Sequence, residues 1–140
     1  MKIKIDYLND AFHLRAKNED GCSLEMDGSE DIGGKNLGMR PMQLLLSAIG
    51  GCSAIDIILI LKKQRQVIDA FQIEVEGIKE KVNEHSIFKQ IIIHFIFTGN
   101  LNEQKVEKAV ELSLQKYCSV AKALEPTSQI KSKITIHERK

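Results

Sequence analysis

Apolar and polar residues alternate along the first part of the chain, which is the pattern of strands with one buried face. Three short alternating runs occupy residues 3–7, 12–16 and 22–26, and turn-forming Asn, Asp or Gly residues separate them. The segment from Asp27 to Arg40 is polar and contains four glycines. We therefore expect three antiparallel strands followed by a long loop, and loops of this length are often functional.

A long apolar segment begins at Pro41, a residue that suits the first turn of a helix. The run from Met42 to Leu61 is apolar on nearly every side, which predicts a buried central helix. Its length would also fit a transmembrane span. A carboxylate at Asp56 and a pair of glycines at 50–51 argue against lipid, so we expect no membrane.

Two further strands, a second helix and a last strand complete the pattern. The strands centre on residues 71–75 and 88–97, and a capping-box spacing at 100–103 opens a helix that ends before Pro126. Residues 130–136 alternate again. The predicted fold is therefore α+β, in the order βββ-α-ββ-α-β, with two long central helices in one domain spanning residues 1–140.

The strand at residues 88–97 is apolar on both faces, unlike the other strands. Such a strand needs cover on both sides. Either helices lie on one face and a second subunit on the other, or the sheet wraps around itself. Together with the apolar helix, this surplus of hydrophobic surface predicts a homodimer.

Charge and composition exclude several partners. The 20 basic residues nearly balance the 19 acidic ones, and two Tyr with no Trp offer few surfaces for base stacking, so we expect no nucleic acid. The alternating segment 1–6 has no apolar core of a secretory signal, which favours the cytoplasm. None of the four histidines has metal-ligand spacing and no phosphate-binding glycine motif occurs, so neither metal nor cofactor is expected.

Three cysteines, Cys22, Cys52 and Cys118, are too few for a disulfide scaffold and form no CxxC pair. Cys52 follows the two helix glycines, and Asp56 lies one turn later on the same face. The glycines indicate either room for a ligand or a close helix contact beside an inert buried thiol. Both interpretations remain open from these residues alone.

Two segments add a family resemblance. Residues 40–56 contain a helix-opening proline with a cysteine eleven residues later, and residues 116–120 place the sequence Lys-Tyr-Cys-Ser-Val after a long helix. Both resemble the motifs of the OsmC/organic hydroperoxide resistance family, most closely a less characterised branch with Gly-Gly-Cys-Ser-Ala-Ile-Asp in its helix. The resemblance implies an intertwined homodimer with its sites at the subunit interface.

The same resemblance implies a thiol peroxidase acting on organic hydroperoxides without metal or haem. Cys52 would attack the peroxide and become a sulfenic acid, and Cys118 would resolve it as a disulfide that a dithiol donor reduces. The hydroperoxidases of this family carry a glutamate where this chain has Met42, followed here by the neutral Gln43.

An activating cation would then have to come from Arg40 or Arg15. We expect Met42, Gln43, Gly51 and Asp56 to line the pocket. The alternative is a non-catalytic dimer that binds an apolar or electrophilic small molecule, with the thiols as sensor or pocket lining.

Overall fold

A computed structural model describes residues 1–140 and divides them into two compact units. Met1–Leu45 forms the first unit and Leu46–Lys140 the second. Each unit contains one three-stranded sheet. The expected single domain over 1–140 stays a prediction, and each unit is described by itself.

The first unit contains the three predicted antiparallel strands. They pair in chain order and are β1 (Lys4–Tyr7), β2 (Leu14–Lys17) and β3 (Ser23–Met26). The alternation of polar and apolar residues therefore gave the correct strand count and order in this unit.

Asp27 organises the glycine-rich loop that follows β3. Its carboxylate accepts hydrogen bonds of 2.8–3.1 Å from the backbone N–H groups of Gly28, Lys35 and Leu37. Burial by itself would raise the pKa of Asp27, but these three donors outweigh it and lower the pKa. The long loop is thus folded around one buried carboxylate.

The predicted central helix, α1 (Pro41–Lys63), begins in the first unit and ends in the second. Its buried residues repeat every three or four positions and so form a single stripe: Ile49, Gly50, Ser53, Ile57 and Leu61. The expected buried central helix is thus buried along this stripe, whereas Ile55, Ile58 and Leu59 on its other side are exposed in the single chain. By length and composition alone α1 could cross a membrane, and the core helix of a soluble protein can have the same length and composition.

The second unit is built on a sheet in the order β4-β5-β6. Its strands are β4 (Ala70–Val82), β5 (His85–Thr98) and β6 (Gln129–His137), with β5 antiparallel to β4 and parallel to β6. One face carries the fully buried side chains of Ile91, Ile93, Phe95 and Phe97. The backbone of α1 approaches this face, since a Cβ built on Gly50 would lie 3.0 Å from the Val75 side chain.

The opposite face of this sheet is covered differently from the sequence expectation. Its central residues Ile92 and Ile96 are half-buried. Ile92 lies between Glu76 of β4 and Lys131 of β6, and Ile96 lies between Gln72 and Thr135 of the same two strands. His94 lies between the two isoleucines, with Nε2 2.8 Å from the Thr135 hydroxyl. Long polar side chains can shield apolar neighbours with their stems, so this face does not by itself demand a second subunit.

The second helix has the predicted extent but is interrupted. It consists of α2 (Glu103–Leu112), a π-helical turn (Ser113–Tyr117) and α3 (Ser119–Leu124). The sequence analysis expected one continuous helix here, and that expectation was wrong because the helix is interrupted after Leu112. The N-cap also differs from the predicted residue 100, because Asn102 accepts the hydrogen bond from the Lys105 N–H at 3.0 Å.

Gly77 provides a test of how tightly this unit is packed. A Cβ on Gly77 would lie 2.5 Å from the Phe88 ring, so Gly77→Ala should lower the free energy of unfolding by about 1–3 kcal/mol through overpacking. Glu76→Ala, at the neighbouring exposed position, should change it by less than about 0.5 kcal/mol. Urea unfolding measures both, and equal effects would contradict the close contact.

Candidate dithiol site

Cys52 and Cys118 are far apart in sequence, but in the second unit the Cys52 thiol is close enough to Cys118 to help raise its pKa. Both are free, with Cys52 half-buried and Cys118 fully buried. Cys22 is exposed and belongs to the first unit. The structure thus brings together the two cysteines that the sequence analysis paired, while the disulfide between them stays a prediction.

Cys118 occupies the break between the π-helical turn and α3. Its backbone is extended, with φ −72° and ψ 104°. Its N–H donates to the Ser113 carbonyl at 2.7 Å, and its Sγ accepts from the Ala121 N–H at 3.4 Å, which makes the thiol the N-cap of α3. π-helical insertions occur frequently at functional sites, and here the insertion leaves the sulfur facing Cys52.

The environment of Cys118 keeps its thiol protonated. Burial is the largest influence and raises the pKa of Cys118 to about 11. The backbone N–H groups of Ala121 and Val120 oppose this rise, and the neighbouring Cys52 thiol adds to it. Near neutral pH Cys118 is therefore a neutral thiol, so it is poorly suited to be the first nucleophile.

Asp56 is engaged by the second helical segment. Its Oδ2 accepts a hydrogen bond from the Ser113 hydroxyl at 2.9 Å, and the same hydroxyl lies 3.3 Å from the Ser53 carbonyl oxygen. Ser53 also turns its own hydroxyl back onto the helix, at 2.8 Å from the Ile49 carbonyl. The polar groups of α1 that follow Cys52 are thus satisfied by neighbouring residues.

The two glycines before Cys52 have different surroundings. Gly50 is buried and faces the Val75 side chain, so it allows the close approach of α1 to β4. A Cβ on Gly51 would meet no heavy atom within 4 Å. The close helix contact therefore applies to Gly50, whereas Gly51 is exposed, and room for a ligand beside Cys52 stays a prediction.

A cavity of about 540 Å³ lies along α1, one to three turns beyond Cys52. This volume is within the usual range for small-molecule sites. Asp56 stands at its boundary, and the other lining residues are Leu59, Ile60, Lys63, Gln64, Leu112 and Tyr117. An apolar wall with a few polar groups suits a small amphipathic molecule.

The two candidate arginines each have partners inside the first unit. Arg15 donates to the Glu25 carboxylate at 3.2 Å, and Arg40 donates to the Gly38 carbonyl at 3.0 Å. Gln43 accepts a hydrogen bond from the Arg40 backbone N–H at 2.9 Å, which caps the start of α1. Activation of Cys52 by either arginine, and the pocket roles of Gln43 and the half-buried Met42, stay predictions.

Sequence reasoning missed Ser113, treating it as one of several helical core positions. A serine at a position that the helical period assigns to the core was the available signal, because a buried hydroxyl needs a partner. Its partner, Asp56, was singled out for its spacing from Cys52, as a pocket residue and as a charge that argues against lipid, but not as a hydrogen-bond partner of Ser113. In the described chain no group of three or more His, Cys, Asp or Glu side chains is placed to hold a metal.

The fold and site together define a small α+β protein with two neighbouring free thiols, one on a long apolar helix and one on an interrupted helix. Residues 33–133 match the family model described as OsmC-like protein. The chain is also 42% identical over 112 residues to protein YhfA of Escherichia coli, covering 79% of each. It belongs to the OsmC-like family, as the resemblance of its two cysteine motifs predicted.

Solved structures agree with this assignment. A hypothetical protein from Aquifex aeolicus has a TM-score of 0.84 at 29% identity, covering 99% of this chain and 97% of that one. An organic hydroperoxide resistance protein OsmC from Legionella pneumophila has a TM-score of 0.72 at 15% identity, covering 96% and 97%. The second likeness concerns the fold alone.

The raised pKa of Cys118 can be tested by titrating the Cys22→Ser variant, which lacks the exposed thiol. Its upper thiolate step, followed by ultraviolet absorbance, should lie near pH 11. Adding Cys52→Ala should lower the pKa of Cys118, since Cys52 contributes to the rise, but should leave it above the ordinary value because burial dominates. A Cys118 that titrates at its ordinary value in folded protein would contradict this assignment.

The same shift has a consequence for stability. An unfolded cysteine has a pKa of about 8.5, so between that pH and about 11 the unfolded chain loses a proton that folded Cys118 keeps. The free energy of unfolding should therefore fall as pH rises through this window, and the fall should be smaller in Cys118→Ala.

Proposed function

We propose that this protein is a cysteine-based thiol peroxidase that reduces organic hydroperoxides with Cys52 as nucleophile and Cys118 as resolving thiol. The observation that carries the proposal is the contact between two free thiols of unequal accessibility. Cys52 is half-buried and directly follows the exposed Gly51, whereas Cys118 is fully buried and has a raised pKa. This inequality supports the division of roles.

In the first step the Cys52 thiolate attacks the terminal peroxide oxygen. The O–O bond breaks, the alkoxide takes up a proton and leaves as an alcohol, and Cys52 becomes a sulfenic acid. Apolar surroundings favour an alkyl chain by about 0.8 kcal/mol for each methylene buried. The cavity along α1 offers Leu59, Ile60 and Leu112 for such contacts.

In the second step the Cys118 sulfur attacks the sulfenic sulfur of Cys52. A disulfide forms, and the hydroxyl group leaves with the Cys118 proton as water. Oxidation of Cys52 also replaces the neighbouring thiol that helps to raise the pKa of Cys118. A dithiol reductant then returns both cysteines to thiols by exchange.

Membership of the OsmC-like family supports this chemistry. We propose that the protein works in the cytoplasm, where free thiols persist.

Met42 stands where the family hydroperoxidases carry a glutamate, and this favours one alternative function. In it, the cavity along α1 binds a small apolar or electrophilic molecule and the thiols act as a sensor.

Cysteine variants test the peroxidase proposal. Cys52→Ser should abolish consumption of cumene hydroperoxide with dithiothreitol present, because no nucleophile remains. Cys118→Ser should give one rapid oxidation followed by a stall at the sulfenic acid, which dimedone traps. Cys22→Ser should behave as wild type, since Cys22 is an exposed thiol of the other unit.

Stopped-flow fluorescence or peroxide assays measure these rates. Wild-type protein that consumes no organic hydroperoxide would refute the peroxidase proposal. If that protein still binds an apolar fluorescent probe, the alternative of a non-catalytic binding protein is supported. Loss of probe binding in Leu112→Glu would locate the probe in the cavity along α1.

We further propose that a second copy of the chain covers the exposed face of α1 in a homodimer. The support is the apolar surface formed by Ile55, Ile58 and Leu59, which are 69%, 44% and 51% exposed on one helix. Contiguous apolar patches of this kind mark interaction sites. The intertwined arrangement implied by the family resemblance is part of the same proposal.

A charge on this face should prevent dimer formation. Ile55→Glu should sediment as a monomer, because burying a carboxylate in an apolar interface is costly. Val67→Glu is the matched control, since Val67 is equally exposed at 69% but lies outside α1. Analytical ultracentrifugation measures both, and a wild-type monomer at micromolar concentration would remove the proposed interface.

A further inference from the structure

Ser113 is connected to both cysteine-bearing segments. Its hydroxyl lies 2.9 Å from Asp56 Oδ2 and 3.3 Å from the Ser53 carbonyl oxygen, both on α1. Its own carbonyl accepts the Cys118 N–H at 2.7 Å. One residue therefore links the helix that carries Cys52 to the backbone of Cys118.

The position of Ser113 makes these bonds effective. Ser113 is fully buried at the first position of the π-helical turn, and Ser53 directly follows Cys52 in α1. A hydroxyl bonded to a carboxylate forms a stronger bond than a neutral pair, and here the hydroxyl is buried and the Asp56 carboxylate half-buried. The turn between α2 and Cys118 is thereby held against α1 at the level of the thiols.

We propose that Ser113 is a positioning residue that holds Cys118 in the geometry needed for disulfide formation with Cys52. The inference rests on the proposed pairing of these two cysteines. Disulfides form only within a narrow range of separation and torsion. A turn anchored by the Ser113 hydroxyl keeps the Cys118 sulfur there, whereas an unanchored turn samples other positions and reaches the reactive one less often.

Loss of the Ser113 hydroxyl should therefore slow formation of the Cys52–Cys118 disulfide, here called closure, without changing the first reaction of Cys52. In Ser113→Ala the Asp56 oxygen loses its partner and the turn loses its anchor, while the backbone bond from Cys118 to residue 113 remains available. We expect closure to slow roughly tenfold, the factor that corresponds to losing one such hydrogen bond.

Diamide oxidation measures this step independently of peroxide chemistry. A cysteine thiolate adds to the N=N bond, the second thiol attacks the modified sulfur, and the substituted hydrazine leaves. Overall, two electrons and two protons pass from the thiols to diamide. Reduced protein carrying Cys22→Ser would be quenched at intervals and alkylated, so that mass spectrometry gives both the diamide adduct at Cys52 and the disulfide.

Ser128→Ala is the matched control, because Ser128 is also buried and bonds a carbonyl, that of Phe88, at 2.6 Å. It should close within twofold of wild type. Asp56→Asn, which keeps an oxygen acceptor for Ser113, should close faster than Asp56→Ala. If Ser113→Ala does not fold, Asp56→Ala removes the same bond from the other side, and disulfide formation should slow by a similar factor once the Cys52 adduct has formed.

Closure at the wild-type rate in the folded variant, or equal slowing in Ser128→Ala, would overturn the inference. The outcome is separate from the peroxidase proposal. Slow disulfide formation in Ser113→Ala supports the positioning role of Ser113 even if the protein reduces no hydroperoxide. Disulfide formation at the normal rate in this variant refutes the positioning role even if the protein is an active peroxidase.

Discussion

The close packing of α1 on the sheet β4-β5-β6 is the interaction on which the dithiol site depends. Gly50 permits it, because any larger residue there would press on Val75. Interiors are packed at nearly crystalline density, so this contact fixes the height and rotation of α1 above the sheet. Cys52 follows two residues later and inherits its position from that contact, while the opposite face of α1 stays exposed.

The interruption of the second helix supplies the other half of the site. A regular helix would carry residue 118 on with helical backbone angles, whereas the extended backbone of Cys118 lets its sulfur cap α3 and contact Cys52. The π-helical turn costs some regular hydrogen bonding. Ser113 offsets part of this through bonds to Asp56 and Ser53, so the irregularity is stabilised from the neighbouring helix.

The two thiols differ because their surroundings differ. Cys118 is buried, which raises its pKa, although backbone donors at the start of α3 moderate the rise. Cys52 is more accessible and directly follows the exposed Gly51. Such an asymmetric pair suits sequential oxidation, with the accessible thiol reacting first and the protected one second. Membership of the OsmC-like family places this pair on a scaffold that several solved structures share.

The approximate positions of the strands, the order of the elements and the two cysteine motifs were predictable from the sequence, because periods of 2 and 3.6 and the local spacing of residues carry that information. It placed the N-cap at residue 100 instead of Asn102, since both asparagines can cap and only the backbone path selects one. Tertiary structure alone decided that α1 buries one stripe, that Cys118 interrupts a helix, and that Ser113 bonds Asp56 from 57 positions away. Those features depend on contacts between distant segments, which no local pattern in the chain encodes.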